Sequence, residues 1–304
     1  MSIEVRAPER REPPASVPVF WTRSRVAAAL ARGPSGAGGF GRVWTDTRTV
    51  QPGDLFVALR GPNFDGHDFL EAAVAAGAGG VVVSDARRGA NLGVPVYLVD
   101  DTTRAFGALA HYRRRAWNGP VIGVVGSNGK TGTKELLRAA LESRLDVHAS
   151  AANFNNLIGV PLTLLALPDH ADVAVVEMGT NRPGEIAQLR AMVEPDIVVV
   201  TSVAEEHLEG LGDLAGVMRE ELSACDGVAL AIVPAAQPEV VDEARRRAAR
   251  VLAVGLDSGD WHAESWKVDA EGFGTARVAG LDAKPPARGA HHLRNAMLAL
   301  AAAE

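Results

Sequence analysis

From Pro120 onward the chain alternates short apolar runs with stretches of helical spacing: "VIGVV", "DVHASA", "DVAVVE", "DIVVVTSV", "GVALAIVP" and "RVLAVG" are separated by amphipathic segments. β-Branched runs between helices predict strands buried on both faces, hence a doubly wound, mostly parallel sheet. Ahead of it, "FWTRSRVAAALAR" and "DGHDFLEAAVAAGA" read as helices, and "GRVWTDTR", "DLFVALRG", "GGVVVSD" and "PVYLVD" as short strands, with a turn at "VQPGD". The helix "TRAFGALAHYRRRAW" closes this small α/β unit near Asn118. The segment "WHAESWKVDAEGFGTARVAG", from Trp261 to Gly280, reads as a hairpin appended to the larger sheet. The expected organisation is a disordered polar tail over 1–18, an N-terminal unit over 19–117 and a larger unit over 118–304. The closing stretch "HHLRNAMLALAAAE" is helical and ends without a Gly or Asn stop signal, which reads as a cut inside a helix.

Composition narrows the classes. A length of 304 residues allows two sizeable cores. The formal charge of -6, from 31 basic and 37 acidic residues with no basic stripe, argues against a nucleic-acid partner. Cys225 is the one cysteine, so neither a disulfide framework nor a cysteine metal site is available, which suits a reducing compartment. The Pro-rich start has no apolar signal-peptide core, and no apolar run approaches the ~20 residues that span a bilayer. A cytoplasmic monomer without membrane contact is the expectation.

The candidate chemistry begins at "GSNGKTGTK", where an apolar strand meets a helix through a glycine-rich turn. Glycines at this junction let successive amides of Gly126, Ser127, Asn128 and Gly129, and the helix start at Lys130, Thr131 and Gly132, face a phosphate. Lys130 can then reach the β- and γ-phosphates of a nucleotide, and the Thr131 hydroxyl can hold Mg²⁺. The generic phosphate-loop pattern asks for glycine where this chain has Val124. Two further groups fall at strand ends, where a doubly wound sheet places ligands: Glu177 in "VVEMGTNRPGEI" and His207 in "VVVTSVAEEHLEGLG". With Thr131, an acid and an imidazole beside a phosphate loop make a plausible Mg²⁺ set.

In combination, "GSNGKTGTKE", "NFNNLIGVPLTLL", "VVEMGTNRPGEI" and "EEHLEGLGDLAGV" resemble the central domain of the Mur ligase family. Upstream, "TDTRTVQPGDLFVALRGPNFDGHDFLEAAVAAGA" resembles the family's N-terminal domain, which holds a UDP-sugar. The likeness covers about residues 40 to 304. Within the family it is strongest to the members that add D-alanyl-D-alanine to UDP-N-acetylmuramoyl-tripeptide in peptidoglycan precursor synthesis. It implies an ATP-dependent, Mg²⁺-assisted amide ligase working through an acyl phosphate. Lys130 and Thr131 would then serve the phosphates, Glu177 and His207 the metals, Asn155 and Asn156 the nucleotide-sugar substrate, and Thr47 and Arg48 its uridine side. The family's third, C-terminal domain is expected to be absent.

Two positions depart from the family pattern. A lysine that the family carbamylates to hold a second Mg²⁺ aligns with Glu221, whose carboxylate sits three bonds, or roughly 4 Å, nearer the backbone. The adenine-side motif, His-Asn with a second Asn three residues on, stands here as "HHLRN": His291 and Asn295 match, and His292 replaces the first Asn. These departures leave open a catalytically impaired nucleotide- or UDP-sugar-binding protein, or a ligase of the same fold acting on another carboxylate, as alternatives to the amide ligase.

Overall fold

A computed structural model describes residues 19–206 and 208–304; the expected tail over 1–18 lies outside the described residues. The chain divides into two compact units, one up to Thr102 and one from Thr103.

In the first unit, β1 (Trp21–Thr22) pairs antiparallel with β2 (Gly39–Phe40) around helix α1 (Arg23–Leu30). The four strands β3 (Val43–Trp44), β4 (Leu55–Val57), β5 (Gly80–Val83) and β6 (Val96–Leu98) form a parallel sheet in chain order. Helix α2 (Leu70–Ala75) covers it through Leu70 and Ala73, which pack with Phe56, Val81 and Val83. The expected strand over "GRVWTDTR" ends early. The Asp46 side chain accepts from the Arg48 amide at 3.0 Å and turns Thr47–Thr49 into a 3₁₀ helix, a local hydrogen bond that competes with strand pairing.

The second unit takes in nearly all of α3 (Thr102–Trp117), the helix expected to close the first. There follow β7 (Val121–Val125), α4 (Lys130–Leu141), β8 (Val147–Ala149), α5 (Gly159–Leu165), β9 (Val173–Glu177), α6 (Glu185–Val193), β10 (Ile197–Val200), α7 (Leu208–Leu211) and α8 (Leu214–Leu222). The chain continues through β11 (Leu230–Pro234), α9 (Pro238–Arg245), β12 (Val251–Gly255) and β13 (Trp261–His262). Among the described residues these seven strands form one sheet, order β13-β12-β11-β10-β7-β9-β8, with every adjacent pair parallel. Alternate strand residues face opposite layers. Val121, Val176, Val198 and Val233 pack on the side of α5, α6, α8 and α9, while Ile122, Val175, Val199 and Ile232 meet α4 and α10 (Ala290–Ala303).

The expected hairpin is a three-stranded antiparallel sheet, β14 (Ser265–Val268), β15 (Gly274–Val278) and β16 (Leu281–Ala283), and the start of that segment joins the main sheet as β13. The third strand escapes a hydrophobicity reading because Leu281 and Asp282 are exposed. No helix among the described residues is long and apolar enough to cross a membrane. Strand order reverses around β7: the chain runs out to β8, returns through β9, then crosses to β10. The carboxyl ends of β7 and β10 therefore flank the crevice where such sheets bind ligands.

Candidate active site

The phosphate-loop sequence occupies that crevice. Gly126 (φ +121°) leaves β7 in a conformation that side chains rarely adopt, and a Cβ there would strike the Thr201 hydroxyl. Gly129 (φ +89°) forms the N-cap of α4 against the Asn295 side chain. Helix geometry leaves the first-turn amides of Lys130, Thr131 and Gly132 without acceptors inside the helix, aimed out of its positive end. The loop is stitched to the end of β10. The Ser127 amide donates to the Ser202 carbonyl at 2.8 Å, and Ser127 Oγ accepts from the Ala204 amide at 2.9 Å. Asn128 N donates to Ser202 Oγ at 3.3 Å. Ser127 thus shapes the loop with its side chain rather than offering it outward. The Lys130 ammonium folds back, donating to the Gly126 carbonyl and, at 3.1 Å, to that of Ser127, with Glu206 Oε1 at 3.8 Å.

Glu177 ends β9 beside this loop, almost fully buried. Its Oε1 accepts from Thr131 Oγ1 at 3.2 Å and from Asn155 Nδ2 at 2.9 Å. Its Oε2 is buried without a hydrogen-bond partner among the described residues and lies 3.6 Å from Lys134 Nζ. Of the expected metal set, then, Thr131 and Glu177 come together; His207 lies outside the described residues. Among the described residues no three His, Cys, Asp or Glu side chains cluster as a metal site. Asn155 touches Glu177, and Asn156, which is exposed, accepts through Oδ1 from the Ile158 and Gly159 amides at 3.0 and 2.9 Å to start α5. In the first unit Thr47 opens the 3₁₀ turn, and the largely exposed Arg48 grips Asp46 at 2.6 Å. That hydrogen bond holds the Asp46 carboxyl down at about 2.

Glu221 reaches the loop from α8 and accepts from the Gly126 amide through Oε2 at 2.8 Å. Burial raises its pKa to about 7, against the pull of the Lys130 charge and the Gly126 hydrogen bond. On the other side of the loop, Asn128, Gly129, Gln237, Gly255, His291 and Asn295 help line a 260 Å³ cavity between the ends of β10, β11 and β12 and the start of α10. Gln237 braces one wall, accepting from the Val203 amide at 2.9 Å and donating to its carbonyl at 2.6 Å.

Lys134, Ser150 and Glu220 are members of the site's frame that motif reading did not single out. Lys134 is fully buried and donates to the Ser150 and Ala152 carbonyls at 2.8 and 2.7 Å, tying the start of the "NFNN" loop to α4. A signal existed: Lys134 shares the buried stripe of α4 with Leu137 and Leu141 at helical spacing, where a lysine needs a partner. Ser150 Oγ accepts from the Glu177 amide at 3.0 Å.

Residues 124–303 match the Mur ligase middle domain and residues 41–152 the Mur ligase family, catalytic domain. The UDP-N-acetylmuramoyl-tripeptide--D-alanyl-D-alanine ligase of Escherichia coli (strain K12) is 45% identical over 177 residues, 58% of this chain and 38% of that protein. The Synechocystis protein of the same name is 39% identical over 267 residues, 86% of this chain and 57% of its own. The chain therefore spans between about two fifths and three fifths of these relatives' lengths. A crystal structure of MurF from Acinetobacter baumannii superposes with a TM-score of 0.84 at 28% identity, covering 94% of this chain and 65% of that one. The Thermotoga maritima MurF ligase in complex with ADP gives 0.74 at 28% identity, covering 86% and 62%. With the middle-domain match spanning more than half of its residues, on a parallel sheet whose phosphate loop sits at the strand-order reversal, the chain belongs to the Mur ligase family.

Proposed function

We propose that the chain carries the nucleotide and UDP-substrate sites of an ATP-dependent amide ligase that joins D-alanyl-D-alanine to UDP-N-acetylmuramoyl-tripeptide, the reaction in the names of its relatives. The observation that carries this reading is the continuity of phosphate loop and cavity: Gly129 caps α4 and also lines the 260 Å³ space with Asn295. A base in that space would set its phosphates over the first-turn amides of α4. Lys130 would exchange its two carbonyl acceptors for phosphate oxygens, a stronger, charge-assisted pairing.

The residues present fit a divalent cation, since Glu177 keeps a buried oxygen without a hydrogen-bond partner next to the Thr131 hydroxyl. Thr131 and Glu177 would hold Mg²⁺, whose charge would offset that of the phosphates. In the reaction, an oxygen of the peptide carboxylate bonds to the γ-phosphorus and the bond to the bridging oxygen breaks, releasing ADP. The amine nitrogen then attacks the acyl carbon, a proton leaves the nitrogen, and phosphate departs. Lys130 and the α4 amides stabilise the transferring phosphoryl group; Asn155 keeps Glu177 oriented. Thr47 and Arg48 are proposed for the uridine side, and Asn156 for the shape of the substrate loop.

Titration calorimetry with ADP and Mg²⁺, and separately with UDP-N-acetylmuramoyl-tripeptide, tests the reading. Both should bind, and Lys130→Ala should weaken ADP by about tenfold or more with circular dichroism unchanged, as expected for loss of a charge-assisted contact. Absence of ADP binding by the parent chain, or equal affinity in the variant, would overturn it.

A further inference from the structure

Helix α8 carries two successive buried carboxylates, Glu220 and Glu221. Neighbours on a helix point about 100° apart, and these two serve different loops. Glu220 Oε1 accepts from the Ile186 amide at 2.8 Å and from Thr180 Oγ1 at 3.3 Å, while its Oε2 accepts from the Gly184 amide at 2.7 Å. It thereby caps α6 from outside and fixes the loop that follows Glu177. Glu221 takes the Gly126 amide, the first N–H of the phosphate loop.

We infer that Glu221 is a positioning residue for the phosphate loop rather than a shortened replacement for a metal-binding lysine carbamate, and that with Glu220 it makes α8 a double anchor setting the spacing of the loops after β7 and β9. The anchor stands on these hydrogen bonds; its effect on nucleotide affinity rests on the function proposed above. Glu221 meets the loop through Oε2 at the Gly126 amide, its Oε1 being buried without a hydrogen-bond partner among the described residues, whereas Thr131 and Glu177 meet each other at the start of α4. A carboxylate given to a backbone amide at the strand end fixes where the turn begins. The N–H it accepts would otherwise be buried without a partner, a costly arrangement.

The two roles differ in what they need from residue 221. An anchor needs an oxygen that accepts, which glutamine supplies; a metal ligand needs the charge, which glutamine lacks. Glu221→Gln, Glu221→Ala and Glu220→Ala would be compared with the parent by hydrogen exchange of peptides spanning 124–131 and 179–187, and by ADP titration over a Mg²⁺ series. Glu221→Ala should speed exchange in 124–131 and weaken ADP by about tenfold, the size of one buried hydrogen bond. Glu220→Ala should speed exchange in 179–187 instead. Glu221→Gln should stay near the parent in both readouts at every Mg²⁺ concentration. Loss of Mg²⁺-dependent affinity in Glu221→Gln equal to that in Glu221→Ala, or unchanged exchange in Glu221→Ala, would refute the anchor. Should Glu221→Ala not fold, the Glu221→Gln titration still decides. A parent chain that binds no ADP would fail the nucleotide reading alone, because the exchange arm decides the anchor without ligand.

Discussion

Glu221 and Lys134 show how much a single buried ionisable side chain decides here. Glu221 titrates near 7 in the folded chain against an ordinary value of 4.5, raised by burial. A carboxyl raised on folding favours the protonated native state, so its contribution is fully present below about pH 4.5 and is lost as pH rises towards 7. The loss is on the order of 3 kcal/mol. Denaturant unfolding across that window should show this decline in the parent and its absence in Glu221→Gln; parallel profiles would contradict it. Lys134 faces Glu177 at 3.6 Å with both side chains buried. Lys134→Met should cost about 3 kcal/mol by stranding a buried carboxylate, and adding Glu177→Gln should recover part of it. Additive losses in that double-mutant cycle would sink the coupling. Lys130, Thr131 and Glu177 were legible in sequence because strand, glycine turn and helix fix a phosphate loop locally. The hydrogen bond from Gly126 to Glu221 was not, since it joins positions 95 residues apart.

Helix α8 places both anchoring carboxylates, so its own start matters. Asp213 caps it, accepting from the Gly216 amide at 2.7 Å. Asp213→Ala should cost about 1 kcal/mol, with exchange rising in 214–217 and, more weakly, in the phosphate loop. A loop untouched by this change would separate the helix start from the site. The parallel strands were readable from their β-branched runs because both faces of each are covered. The 3₁₀ turn at Thr47–Thr49, inside a segment that reads as strand, and the strand β16, beyond the segment that reads as a hairpin, leave no hydrophobic period: a side-chain cap at Asp46 decides the first, and Leu281 is exposed in the second.

For the whole molecule, the groups proposed above to face a nucleotide, from Gly126 to Leu298, all belong to the second unit. ADP at about 100 times its Kd should raise the stability of that unit by about 2.7 kcal/mol. Protection from exchange should gather in 124–131, 201–203, 234–237, 254–258 and 291–298, and protection centred elsewhere would argue for a different binding face. The seven-stranded sheet has one more consequence, for how the chain fails. Its outer strands are its shortest, β13 with two residues and β8 with three, so the folded sheet offers neighbouring molecules almost no template for strand addition. Its inner strands are the opposite: "VIGVV" and "IVVV" are uncharged, β-branched-rich runs that stay unpaired until distant parts of the chain arrive. Clumping should therefore begin with unfolding and not before it, and a nucleotide that delays the melt should delay turbidity by the same number of degrees.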